Sequence, residues 1–194
     1  MNTPDPTKPG HLEDFVHASL MCLPLLEYAL PRPPAEGMTV EGVSIRLGEI
    51  GIAILVIAER LVADRRTSHP TGSGREQRQS CSQGDLEALV IQWWDRSRAT
   101  SLKLSKNLKD LQKRGLLEPS IVRADMRLHA WRLTDLGKGY LSALRAYYSQ
   151  HLLAVAREVN PDELALVTGV MRKLTDAAWS EAKKACGVKL GKTC

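Results

Sequence analysis

Residues 82–115 read SQGDLEALVIQWWDRSRATSLKLSKNLKDLQKRG, and this stretch decides the fold. Leu86, Leu89, Val90 and Trp93 recur at helical spacing behind Ser82 and Asp85, a pair with capping-box spacing in which Asp replaces the usual Glu. Asp95 to Arg98 make a turn. Beyond it Leu104, Leu108 and Leu111, at i, i+4 and i+7, line the inner face of a second helix ending near Arg114, with Gly115 as its left-handed cap. Leu116, Leu117, Ile121 and Val122 then run out to a polar tip at Arg123 to Arg127. Leu128, Ala130, Trp131 and Leu133 return from it, which is the pattern of one β-hairpin.

Helix, turn, helix and two-stranded hairpin together make the winged-helix arrangement, and the second helix is where positive charge gathers. Between Arg96 and Arg114 stand seven bases, Arg96, Arg98, Lys103, Lys106, Lys109, Lys113 and Arg114, against the single acid Asp110. The net +6 exceeds the +5 of the whole chain. Lys103, Lys106 and Lys113 share one exposed side opposite the leucines, as a helix laid in a major groove requires. Charge alone would equally describe a solvated lysine face.

Working outward, Thr134 has the form of an N-cap, and Leu136, Tyr140, Leu141, Leu144, Tyr147, Tyr148, Leu152, Val155 and Val159 mark a long helix. Asn160 and Pro161 end it and start another, since Asn suits the cap and Pro the first turn. That last helix runs through Leu164, Val167, Met171, Leu174 and Ala178 toward Ala185. Upstream, residues 65–84 hold Gly, Ser, Thr, Gln and Arg with almost nothing apolar and read as a mobile basic loop. Before that, Thr39 caps a helix whose apolar positions continue from Val40 to Val62, apolar nearly all round and therefore buried on several sides. Leu12 to Leu30 is a first helix interrupted by Pro24, and Pro31 to Gly37 form a stiff connector.

The composition of the 194 residues, 43% hydrophobic, 25% charged and 5% aromatic, excludes a disordered chain and argues for packed helices over an all-β barrel. The longest apolar run, Ile50 to Ala58, is far short of the roughly 20 residues needed to span a bilayer, so no membrane partner is expected. The polar, proline-punctuated start lacks an export signal, and a cytoplasmic location with reduced thiols follows for Cys22, Cys81, Cys186 and Cys194. The five histidines are scattered and no HExxH motif or phosphate loop occurs. Neither an enzyme nor a bound metal or cofactor is expected.

Ser105, Lys106, Leu111, Lys113, Arg114 and Gly115, followed ten residues later by Asp125-Met126-Arg127, then Leu133, Thr134 and Gly137, and finally Asn160 to Leu164, stand in fixed order. In this order and spacing the chain resembles the MarR (multiple antibiotic resistance regulator) family of winged-helix transcription factors, strongly from Ser82 to Trp179 and weakly before. Three positions depart from the pattern. Asn107 replaces an apolar residue, Pro119 replaces an arginine, and the 65–84 loop is longer than usual.

The resemblance implies a mainly helical winged helix-turn-helix protein with a small β-hairpin wing, organised as a start at 1–10, an N-terminal dimerisation helix and connector at 11–38, a DNA-binding domain at 39–134, C-terminal dimerisation helices at 135–186 and a tail at 187–194. It implies a homodimer on a palindromic operator in double-stranded DNA, acting as a repressor released by a small-molecule effector. The expected DNA-binding residues are Arg98, Ser101, Lys103, Ser105, Lys106, Lys109 and Lys113 on and before the basic helix, and Arg123, Asp125 and Arg127 on the wing. There Arg127 would probe the minor groove while Asp125 holds its guanidinium. A winged-helix module binding nucleic acid without operator specificity is the alternative. Cys22 lies where a peroxide-sensing branch of the family keeps its thiol; with nothing basic beside it in sequence, the inert reading is preferred to the redox one.

Overall fold

The structure, a computed structural model, describes residues 33–68, 80–93, 101–121, 129–157 and 160–188. In chain order the elements are β1 (Met38–Val40), β2 (Val43–Ile45), α1 (Glu49–Ser68), β3 (Cys81–Ser82), α2 (Gln83–Trp93), α3 (Ser101–Lys113), β4 (Leu117–Ile121), β5 (His129–Leu133), α4 (Asp135–Ala156) and α5 (Pro161–Ala185). The fold is mainly helical, with the winged-helix order of helix, helix and hairpin that the sequence predicts. The expected N-terminal helix and Cys22 lie outside the described residues.

α1 is the centre of the core. Ile54, Leu55, Ala58 and Leu61 are sealed from solvent on it, and α2, α3 and β5 pack around it. α2 contributes Leu86, Leu89 and Val90, and α3 contributes Leu104, Leu108 and Leu111, the apolar faces read from their spacing. The Asp85 amide donates to Ser82 Oγ over 3.1 Å, which satisfies one of the open N–H groups of the first turn of α2. Gly115 takes a φ of +72°, so α3 stops there in a left-handed cap.

Two expectations are corrected. The helix anticipated from Thr39 begins only at Glu49, because Met38–Val40 and Val43–Ile45 pair antiparallel as a hairpin. Its two-residue tip, Glu41 and Gly42, has positive φ at both positions, the geometry that matches the twist of paired strands. The hairpin buries Met38, Val40 and Ile45, whose spacing suits a strand as well as a helix in so short a run.

The second correction concerns the ends of the supposed 65–84 loop. α1 continues to Ser68, Cys81–Ser82 pairs with β5, and α2 starts at Gln83. Arg65 supplies the physical reason. Its guanidinium donates to the Ser80 carbonyl over 2.7 Å and to Asp85 over 3.2 Å, and Cys81 beside them is fully buried in the core, so a polar tie and apolar burial together fix residues 80–85 against α1.

β4 and β5 form the stalk of the wing, and β3 on the other side of β5 completes a three-stranded sheet ordered β3-β5-β4. Pro119 lies on β4, an edge strand, where a missing N–H is tolerated. Thr134 joins the wing to α4. Its hydroxyl lies 2.6 Å from the Gly115 carbonyl, to which it donates, and accepts from the Gly137 amide over 3.0 Å. Asn160 caps α5 by accepting from the Asp162 amide over 2.9 Å, with Pro161 in the first turn as expected; α4 ends at Ala156, and Val159 lies outside the described residues. No helix among the described residues is long and apolar enough to cross a membrane.

Candidate nucleic-acid interface

The leucine spacing of α3 dictates which way its bases point. With Leu104, Leu108 and Leu111 turned into the core, Ser105, Lys106, Lys109, Asp110 and Lys113 are left on the outside, where they line one shallow groove of about 390 Å³. Lys106, Lys109 and Lys113 are all exposed, and among the described residues no carboxylate pairs with any of them. Asp110, the one acid of the helix, is bound to Arg114 over 2.8 Å. The three lysines therefore present uncompensated charge along one side of the middle helix of the winged domain. Backbone phosphates spaced along a groove attract such a row, and Ser105 beside it can donate or accept.

Of the residues expected to touch nucleic acid, the structure brings together Ser105, Lys106, Lys109 and Lys113. Ser101 and Lys103 belong to the first turns of α3, but their side chains lie outside the described residues, as do Arg98 and the wing residues Arg123, Asp125 and Arg127. Arg114, counted with the basic cluster by its position, behaves differently. Besides Asp110, its guanidinium donates to the Arg46 carbonyl over 2.8 Å, so it faces the β1–β2 hairpin. The sequence carries no sign of that contact, because the acceptor is a main-chain oxygen 68 residues away.

A second concavity, about 580 Å³, opens between α1, β5 and α4, where the winged domain meets the last two helices. Val56, Val62 and Leu133 give it apolar walls, and Glu59, Arg60 and Arg145 give it charge. All three of its guanidiniums, Arg60, Arg132 and Arg145, are held, Arg132 by Glu118 of β4 over 2.8 Å. Arg145 of α4 bonds to Glu59 of α1, a contact that raises its pKa further and keeps it charged, and Arg60 bonds to Asp176 of α5. Adjacent residues of α1 thus tie that helix to α4 and to α5 across the rim of one cavity.

The two described thiols are not poised for chemistry. Burial pushes the Cys81 thiol up to about 12, with the nearby Arg65 charge opposing only in part, and its Sγ lies 3.5 Å from the Trp131 carbonyl. Cys186 is also raised, first by burial and then by Asp85. A thiol held protonated is neither a good nucleophile nor a ready target for peroxide.

No protein-family model matches the chain, and no curated protein matches it. Among solved structures it is similar to Sco3205, a MarR family transcriptional regulator from Streptomyces coelicolor in complex with DNA, at 18% identity over 88% of this chain and 92% of that one, with a TM-score of 0.48. It is also similar to a probable transcriptional regulator from Pseudomonas aeruginosa, at 21% identity over 84% of this chain and 98% of that one, with a TM-score of 0.44. A third is the YusO protein from Bacillus subtilis, at 14% identity over 88% and 99% of the two chains and a TM-score of 0.45. At this distance the likeness carries no functional argument.

Proposed function

We propose that the protein is a homodimeric transcriptional regulator of MarR type, which lays α3 in the major groove of a palindromic operator and acts as a repressor released by a small molecule. The single observation that carries this reading is the row of Lys106, Lys109 and Lys113, unpaired among the described residues and lining one groove with Ser105 on the outer side of a winged helix. The ordered sequence motifs that resemble the family support the same assignment.

The exposed apolar side of α5 supports the dimer. Leu166 is 69% exposed, Val167 56% and Met171 52%, an apolar row that a second copy would cover. The effector would enter the cavity between α1, β5 and α4, whose volume falls within the range of small-molecule sites. On the wing, Arg127 would reach into the minor groove with Asp125 orienting it, and Arg98, Ser101, Lys103 and Arg123 would add contacts around the basic helix.

The test is footprinting of the purified protein on the DNA flanking its own gene. Two protected half-sites about one helical turn, roughly 10 base pairs, apart are expected, bound by a species of twice 21.5 kDa in light scattering. Equal affinity for every sequence would favour the non-specific nucleic-acid module instead. An operator bound tightly by a monomer would defeat the dimer.

A further inference from the structure

Arg114 sits in the last turn before the Gly115 cap, and its planar fork is divided between two partners. Nε donates to Asp110 on the preceding turn of α3, and Nη1 donates to the Arg46 carbonyl where β2 ends, both over 2.8 Å. The hairpin that supplies this carbonyl is not a free flap. Ile45, the neighbour of Arg46, is buried, and Leu47 and Leu111 both lie against Gly51 at the start of α1. On its other side the hairpin is seated on α4. A Cβ at Gly139 would come within 2.8 Å of Val40 Cγ1, so that glycine is what admits the strand. The hairpin therefore touches the basic helix through Arg114 and the first of the C-terminal helices through Gly139.

We infer that Arg114 is a positioning residue for nucleic-acid binding: it ties the C-terminal end of α3 to the β1–β2 hairpin, and through the hairpin fixes the basic helix against α4. The inference rests on the DNA-binding reading above. Arg114 belongs to the basic cluster by position, yet its charge is answered by Asp110 and one of its remaining donors is spent on main chain. Lys106, Lys109 and Lys113 have no such partner among the described residues. A lysine at 114 would keep the charge but not the planar fork, in which Nε and Nη1 each serve one acceptor in a fixed geometry. Position and charge thus make separable demands at this site.

The experiment compares the full chain with Arg114→Ala and Arg114→Lys in operator titrations over a salt series, together with amide exchange and melting of the DNA-free proteins. Both variants should lose about tenfold or more in affinity while the slope of log affinity against log salt stays that of the parent, since no phosphate contact is removed. Amides at 44–48 and 111–116 should exchange faster in both, with the global melting point little changed. Parental affinity in Arg114→Lys with a slope reduced by about one in Arg114→Ala would identify a direct phosphate contact and overturn the inference. Parental affinity in both variants would overturn it as well. If the parent binds no DNA, the functional reading fails on its own. The exchange measurement then still decides the tie, and unchanged protection at 44–48 and 111–116 removes it. Should Arg114→Ala not fold, Arg114→Lys carries the same comparisons.

Discussion

The indole N–H of Trp179 on α5 donates to Asp64 Oδ2 on α1 over 2.7 Å, and Lys183 Nζ lies 2.5 Å from the same oxygen. The Arg60 guanidinium stands 5.1 Å from the centre of the indole ring, on which it stacks as a cation, and bonds to Asp176 one turn before the tryptophan. Trp179 is itself buried. One aromatic residue thus docks the second half of α5 onto the central helix of the winged domain, while the first half leaves its apolar residues in the open.

Trp179→Phe removes the indole donor while an aromatic ring keeps most of its place. Trp179→Phe should lower the unfolding free energy by about 1–2 kcal/mol, the cost of losing a hydrogen bond to a charged, half-buried acceptor. Trp179→Ala should cost about 3–5 kcal/mol, because it also leaves a cavity. Urea unfolding measures both. A Trp179→Phe protein as stable as the parent would show that the bond to Asp64 contributes nothing.

Gly137 answers a steric demand. A Cβ there would fall inside contact distance of the Leu116 carbonyl oxygen, which approaches the first turn of α4 where Thr134 joins wing and helix. Main chain cannot swing aside as a flexible side chain can, so Gly137→Ala should destabilise by roughly 3 kcal/mol, the upper end for an overpacked site. Gly84 on α2 is the control, since a Cβ there meets nothing within 4 Å. Gly84→Ala should instead stabilise by about 0.4–1 kcal/mol through the lower entropy of the unfolded chain. Thermal melts of the two variants should move in opposite directions.

Stability should fall at alkaline pH. The Cys81 thiol is pushed from its ordinary value of 9.0 up to about 12 by burial, so between these values the unfolded chain has released a proton that the folded one keeps. The unfolded state then binds fewer protons, and stability drops as pH rises, by at most about 1.4 kcal/mol per pH unit. Below pH 9 this contribution is fully present. Tyr140 and Tyr148, both raised chiefly by burial, act in the same sense at higher pH. Denaturant midpoints from pH 7 to 11 should show the decline, and Cys81→Ala should flatten its first part. An identical profile in that variant would place the proton elsewhere.

Lys106 stands on the open side of α3 with no carboxylate partner among the described residues. Lys106→Ala should weaken operator binding. If the lysine meets only phosphate, affinity should drop about equally on all sequences and the salt slope should shrink by roughly one; a base contact would relax specificity at one position instead. Unchanged affinity and slope would show that another face of α3 meets the DNA.

Legibility in this chain follows the range of the interaction. The Ser82 cap, the three inward leucines of α3, the Gly115 stop and the Asn160-Pro161 start were all readable, because each is settled by residues within about one helical turn. Once the leucines face inward, helical geometry leaves Lys106, Lys109 and Lys113 no direction but outward, so most of the described part of the candidate site was readable too. Local spacing failed at Thr39–Ile45, where a few alternating apolar residues fit either element and the left-handed Glu41-Gly42 tip decides for strands.

Packing alone settled the contacts whose partners lie far along the chain: Arg65 with Ser80 and Asp85, Arg114 with the Arg46 carbonyl, Trp179 with Asp64, Glu59 with Arg145, and Arg60 with Asp176. A charged side chain in sequence has many possible partners, and which one it meets depends on how the helices pack. The order of the residues fixes which helix is basic and which of its sides faces out. Only the packing decided that Arg114 bonds to Asp110 and to the Arg46 carbonyl, while Lys106, Lys109 and Lys113 meet no carboxylate among the described residues.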